Sequence, residues 1–249
     1  MKINIKTPQE LHIMQESGKI LQKAQEAMKK IIAPGITTRE LDQVAEEVIR
    51  SHNAIPAFKG FHGFPGTICA SVNSEVVHGI PDDRKLQNGD LISIDCGAFY
   101  KDLCSDATFS VVIGGEGQNP SRARFSKTVE NALKAGCQVA KPGNHIGDIG
   151  YAIEKTIRKG GYSVCKEYGG HGVGYEMHEE PFIFNYGKPG TGVRLVAGMT
   201  ICIEPVIAAG KPKIKTLSDG WTVVTADGQD GCQWEHCGVV SELGLDIFA

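Results

Sequence analysis

Between Gly170 and Pro181 the sequence reads GHGVGYEMHEEP, setting two histidines, His171 and His178, among the acids Glu176, Glu179 and Glu180. Imidazoles beside carboxylates are the raw material of metal binding and of general acid–base chemistry. Gly172 and Gly174 make a regular helix costly here, and an odd separation would turn the two rings to opposite faces of a flat strand. A glycine-bent loop is the expected carrier, its bare backbone leaving the histidines room to approach a metal or a substrate. Further acids stand inside strand-like stretches: Asp95 and Asp106 in LISIDCGAF and DATFSVVI, Glu204 in MTICIEPVIAAG, and Glu235 in QWEHCGVVSEL. A carboxylate amid apolar strand residues is seldom a solvated accident.

The first two acids share a predicted hairpin over residues 91–113. With its turn centred on Tyr100-Lys101, Asp95 faces Asp106 and Ser93 faces Thr108, so two carboxylates stand on one face with Cβ atoms about 5 Å apart. A bulge or a longer loop would shift that register. Like charges so close need a proton or a cation between them. Asp95, Asp106, Glu204 and Glu235 together carry four negative charges, which two divalent cations cancel. Oxygen-rich ligands with His171 as the one imidazole suit manganese, iron(II), cobalt or magnesium better than a tetrahedral structural zinc, although zinc binds such sites too. Bridging carboxylates would hold the ions about 3.5–4 Å apart, with a water or hydroxide between them as nucleophile.

The elements that must position these groups can be read from periodicity. Thr7 caps a helix that runs to Ile32, with Pro8 at its first position and Leu11, Met14, Leu21 and Met28 at helical spacing. Pro34-Gly35 ends it, and a second helix follows from Thr38. Helices over 121–140 and 146–159 repeat this order, with Lys141-Pro142-Gly143 in the place of Ala33-Pro34-Gly35, 108 residues earlier. The pattern reads as an internal duplication, with halves at about 8–115 and 120–249 forming one catalytic domain. The second half adds an Asp219-Gly220 hairpin turn and a last strand through Glu235.

Composition limits the alternatives. Hydrophobic residues make up 41% of the chain and charged residues 22%, ordinary globular usage, and a formal charge of −3 gives no whole-chain bias towards nucleic acid. No apolar run of about 18 residues and no signal-peptide core is present, so a cytoplasmic protein without membrane association is expected. The eight cysteines form no C-x-x-C pair, which argues against a zinc ribbon and for free thiols, most of them inert core residues.

Five motifs in order, VVHGIP, LISIDCGAFYKDLCSDATFS, GHGVGYEMHEEP, MTICIEP and QWEHCGVV, make the chain resemble the type I methionine aminopeptidases of the pita-bread metallopeptidase fold from about Lys6 to Phe248. The resemblance implies an α+β pita-bread fold with a pseudo-twofold duplication, helices packed on a curved antiparallel sheet, no N-terminal zinc-finger extension and a monomer. It implies a metalloexopeptidase that removes the N-terminal methionine of nascent polypeptides when the second residue is small. Asp95, Asp106, His171, Glu204 and Glu235 would hold two divalent ions (manganese, iron(II), cobalt or zinc), with Asp106 and Glu235 bridging. Glu204 would also manage the proton of the attacking water, His178 would bond the scissile carbonyl region, and His78 the next peptide nitrogen. Phe58, Phe61, Phe64, Cys69, Met177 and Trp221, with His62 nearby, would form the methionine pocket, whose apolar walls suit a thioether.

Three features depart from the family's usual pattern: Met177 in place of an aromatic residue, Cys237 in place of threonine, and Leu103-Cys104-Ser105 in place of an aromatic-His-Gly run. None removes an expected ligand, but outer residues tune metal affinity and substrate preference. Within the same fold, an Xaa-Pro aminopeptidase is the alternative enzyme, and a non-catalytic ribosome- or RNA-binding relative is the alternative class. Lys211, Lys213 and Lys215 form a basic segment that would meet ribosomal RNA phosphates or simply solvent.

Overall fold

The computed structural model describes residues 3–249. Helix α1 (Pro8–Ile31) opens on Thr7, whose hydroxyl accepts from the Glu10 N–H while the Glu10 carboxylate accepts from the Thr7 N–H. Helix α2 (Thr38–Ser51) repeats the arrangement with Thr37 and Glu40. Each reciprocal cap satisfies N–H groups that the helix start cannot pair. Strands β1 (Ile55–Pro56), β2 (Ile68–Val72), β3 (Glu75–Val77), β4 (Leu91–Tyr100) and β5 (Leu103–Val112) follow. β4 pairs with β5 along one edge and with β2 and β1 along the other, all antiparallel. The apolar stripes of α1 and α2, including Leu21, Met28, Leu41 and Ile49, bury against Ile92, Ile94 and Phe109 of this sheet.

Helices α3 (Pro120–Val139) and α4 (Ile146–Lys159) begin the second half, and both ends of α4 lie 108 residues beyond those of α2. Then come β6 (Ser163–Val164), β7 (Gly169–Gly172), β8 (Glu179–Phe184), β9 (Thr200–Ile203), β10 (Val206–Ala208), β11 (Ile214–Thr216), β12 (Val223–Thr225), β13 (Gly231–Gln233), β14 (His236–Ser241) and β15 (Gly244–Ile247). A five-stranded sheet has the order β15-β14-β9-β7-β8. Val129, Leu133, Ile153 and Ile157 of α3 and α4 pack on Ile201 and Ile203 beneath it. A third cluster, with Met14, Phe58, Phe64, Met177, Cys202, Cys237 and Phe248, joins residues of both halves. No helix among the described residues is long and apolar enough to cross a membrane.

The hairpin register differs from the expected one. Asp95 pairs with Thr108, Gly97 with Asp106 and Ser93 with Ser110. The two-residue turn is Lys101-Asp102, one position later than expected, and both residues have positive φ (47° and 64°). Such left-handed pairs match the right-handed twist of the flanking strands, and aspartate tolerates the conformation better than tyrosine. The shift in pairing is two residues, an even number, so Asp95 and Asp106 stay on one face as diagonal neighbours.

Two further strands are interrupted where single ones are expected. MTICIEPVIAAG divides at Glu204-Pro205 into β9 and β10, because Pro205 has no N–H for the ladder. QWEHCGVVSEL divides at Trp234-Glu235 into β13 and β14, and the chain turns back through Glu242-Leu243 into β15, which opens on Gly244 (φ +124°) and is a strand that the sequence reading omits. The two breaks face each other, since Ile203 pairs with His236 before them and Val206 with Gln233 after them. Both glutamates therefore sit where paired strands leave one sheet for another.

Candidate metal centre and substrate pocket

His171 is carried by strand, not by a bent loop: β7 lies between β8 and β9, and only residues 173–178 form the turn. The flanking glycines answer a different need. A Cβ on Gly170 would collide with the Cys202 carbonyl, and one on Gly172 with the Glu180 carbonyl, so close strand packing rather than bending requires them. His171 is 6% exposed, and its Nδ1 lies 2.8 Å from the Gly172 carbonyl oxygen. With Nδ1–H donating there, Nε2 keeps its lone pair and faces Glu204 Oε1 at 3.5 Å.

The acids converge on the same floor. Asp106 and Glu235 are 3% and 1% exposed, and ligand atoms of Asp106, His171, Cys202 and Glu235 all lie within 4.8 Å of one another. Asp95 Oδ1, Asp106 Oδ1 and Glu235 Oε1 are buried without a hydrogen-bond partner. Orphaned carboxylate oxygens are costly in a dry site, and three together mark a place built for cations. Two of the other oxygens are held: Thr108 Oγ1 donates to Glu235 Oε2 (3.0 Å) and Gln233 Nε2 to Glu204 Oε2 (3.1 Å). The Glu235 N–H donates to the Thr108 carbonyl (3.0 Å), tying the Glu235 strand break to β5.

Burial and then mutual charge push Asp106, Glu204 and Glu235 well above the usual carboxylate range. Asp95 rises to about 6, burial outweighing its hydrogen bonds with Thr108 and the neighbouring acids. Burial lowers His171 and His78 to about 4, and lowers His178 as well, so all three are neutral at pH 7. The lowered histidines make stability rise with pH only up to their unfolded value of 6.5. The raised carboxylates act in the opposite sense: without a cation the folded chain keeps their protons to higher pH than the unfolded chain does, so their contribution to stability falls as pH rises. Chelated protein should therefore melt at a lower temperature at pH 8 than at pH 6.5, by roughly 2–4 °C per kcal/mol lost, and a saturating divalent cation should flatten the trend. A chelated melting curve unchanged by pH would contradict a shared, proton-retaining acid pocket.

Above the acids opens a cleft of about 500 Å³ lined by Phe58, Phe61, Phe64, Cys69, Met177 and Trp221, with His78 and His178 at its polar side. Trp221 comes from the turn between β11 and β12 rather than from a strand, and its ring meets Phe64 edge-on at 5.1 Å. That turn is longer than the expected two-residue one: Asp219 Oδ1 accepts from the N–H groups of both Trp221 and Thr222. His178 lies edge-on to His171 with ring centroids 4.5 Å apart, and 5.6 Å from Phe61. His78 holds a left-handed backbone (φ 60°), a conformation a residue other than glycine rarely keeps without a purpose. His62 does not line the cleft; it is exposed and meets the Phe61 ring edge-on, with centroids 4.3 Å apart.

The turn that carries His178 is clamped from outside. Glu179 accepts from the N–H groups of Tyr175 and Glu176 and from Lys6 Nζ at 2.9 Å, with the Lys6 side chain fully buried. Sequence reasoning missed Thr108, Gln233 and Cys202, and also Tyr168 and Phe182, which line the cleft. The first three stand two positions from Asp106, Glu235 and Glu204, a period-two relation that was available as a signal.

Comparison with known proteins finds relatives along the whole chain. The model of metallopeptidase family M24 matches residues 12–242. A curated relative, methionine aminopeptidase 1 of Bacillus subtilis (strain 168), is 46% identical over 243 residues, covering 98% of this chain and 97% of that protein. The crystal structure of a methionine aminopeptidase from Thermotoga maritima superposes with a TM-score of 0.96 at 38% identity, covering 99% of each chain. A prolidase from Pyrococcus furiosus shares the fold at a TM-score of 0.79 and 27% identity, over 98% of this chain and 64% of that one.

Proposed function

The chain belongs to metallopeptidase family M24, and from that premise we propose how its residues release an N-terminal methionine from peptides. The pita-bread fold and the aminopeptidase activity follow from full-length similarity to methionine aminopeptidases, and the family works with divalent metal. The observation that carries the residue-level reading is the set of orphaned, buried carboxylate oxygens on the floor of an aromatic cleft. In this reading Asp95, Asp106, His171, Glu204 and Glu235 would hold two divalent ions within a single catalytic domain. Such ions, when bound, polarise the scissile carbonyl, anchor the free α-amine and acidify a water.

The protein's own groups then position and protonate. Gln233 fixes one oxygen of Glu204, leaving Oε1 turned towards His171 as the handle for the water's proton. His178, neutral and held between His171 and Phe61, presents a ring N–H to the scissile carbonyl oxygen, where negative charge develops. His78 meets the following peptide nitrogen. Phe58, Phe61, Phe64, Cys69, Met177 and Trp221 exclude water and enclose the methionine side chain. The second residue of the substrate would lie beside the acids and, as in the family, would need a small side chain.

The test is a panel of peptides that differ at their first two residues. A Met-Ala start should exceed a Met-Leu start in kcat/KM by roughly a hundredfold or more. Equal turnover of Xaa-Pro starts lacking methionine would favour the Xaa-Pro reading. The protein is read as a cytoplasmic monomer acting on nascent chains, with Lys211, Lys213 and Lys215 exposed on the β11 hairpin for contact with ribosomal RNA. Salt-sensitive co-sedimentation with ribosomes should disappear on replacing all three lysines by alanine; binding that survives the triple change removes that contact from the account.

A further inference from the structure

Cys202 is not among the five residues assigned to the ions above, yet its sulfur lies on the same floor. It lies within β9, two residues before Glu204, which stands just past the end of that strand. Gly172 pairs with Ile201, which places Cys202 beside His171 on the neighbouring strand. On its other side it pairs directly with Cys237 of β14. The Cys202 side chain is fully buried, and Sγ lies within 4.8 Å of ligand atoms of Asp106, His171 and Glu235. Two of those partners, Asp106 and Glu235, each keep a buried oxygen without a hydrogen bond.

From this arrangement we propose that Cys202 is a direct metal ligand, its sulfur joining His171 Nε2, Asp106 and Glu235 around one ion of the centre. The proposal rests on the metallopeptidase reading and deepens it by giving one corner of the site a sulfur, nitrogen and two-oxygen donor set. Ligand atoms around a tetrahedral zinc lie roughly 3.5 Å apart, given metal–ligand bonds of about 2.0–2.3 Å, so the quartet closes on an ion through shifts on the order of 1 Å. A coordinate bond forms from Cys202 Sγ to the ion, and the thiol proton leaves to solvent. Thiolate selects softer ions, so this corner favours zinc or cobalt over manganese or magnesium.

Cobalt(II) reads the donor set directly. Chelated protein titrated with cobalt(II) should develop visible ligand-field bands together with an intense near-ultraviolet band from sulfur-to-cobalt charge transfer. That second band should vanish in Cys202→Ser and Cys202→Thr and persist in Cys69→Ser and Cys237→Ser. Zinc affinity of Cys202→Ser should fall at least by the roughly ten- to hundredfold that loss of an outer partner costs, with manganese affinity within about threefold of the parent. Ligand-field bands without the charge-transfer band in the parent protein, or a band that survives in both Cys202 variants, would overturn the proposal while leaving the metallopeptidase reading intact. Failure of the parent to take up cobalt(II) at all would overturn both.

Discussion

His171→Ala should abolish metal-dependent turnover, and chelation of the parent protein should do the same until a divalent ion is returned. His171 is the one imidazole on the acid floor whose free nitrogen faces the carboxylates, since Nδ1 is committed to the Gly172 carbonyl. Alanine removes that donor from a pocket in which burial and mutual charge already hold Asp106, Glu204 and Glu235 well above the usual carboxylate range. Metal affinity should therefore drop by about a hundredfold or more, and kcat/KM should become unmeasurable at metal concentrations that saturate the parent. The fold should survive, because β7 is held by its backbone pairing to β8 and β9 and alanine fits where histidine stood. Turnover close to that of the parent in this variant would remove His171 from the centre.

His178→Ala should behave differently. His178 lies next to His171 but on the cleft side, against Phe61, and it is the turn 173–178 rather than a strand that presents it. Its removal should leave most of the metal bound and lower kcat by about 10²–10³, the usual cost of losing a donor to a developing oxyanion, with KM little changed. Glu179, tied to Lys6, Tyr175 and Glu176, keeps the turn in place after the substitution. Equal metal loss in the two histidine variants would end this division of roles.

The sequence made the helices legible because their apolar spacing and caps are local: Thr7 with Glu10, Thr37 with Glu40, and stripes such as Leu41, Ala45 and Ile49. The 108-residue repeat was legible for the same reason, and α2 and α4 obey it at both ends. The sheets were less legible, because register depends on one turn. Moving that turn from Tyr100-Lys101 to Lys101-Asp102 changed the β5 partner of Asp95 from Asp106 to Thr108, and only the even parity of the shift kept it beside Asp106. The breaks at Glu204-Pro205 and Trp234-Glu235 are decided by which sheet each half-strand joins, a long-range choice with only Pro205 as a local sign.

The acids of the site stood out by their charge within apolar strands, whereas Thr108, Gln233 and Cys202 look like ordinary strand residues. Their role comes from sharing a face with Asp106, Glu235 and Glu204. The glycines around His171 show a related gap: composition suggests a bend, and only the neighbouring carbonyls of Cys202 and Glu180 reveal that closeness is the reason.

The central claim is that the buried acids and His171 form one cation-binding centre on which turnover depends. Its most direct test is to strip the protein with chelator, add back manganese, cobalt(II) or zinc in steps, and follow bound metal and release of methionine from a Met-Ala-starting peptide in the same samples. Release should be absent without metal and should recover in proportion to metal bound, up to two ions per chain, with neither binding nor recovery in His171→Ala. Full methionine release by the metal-free parent would contradict it.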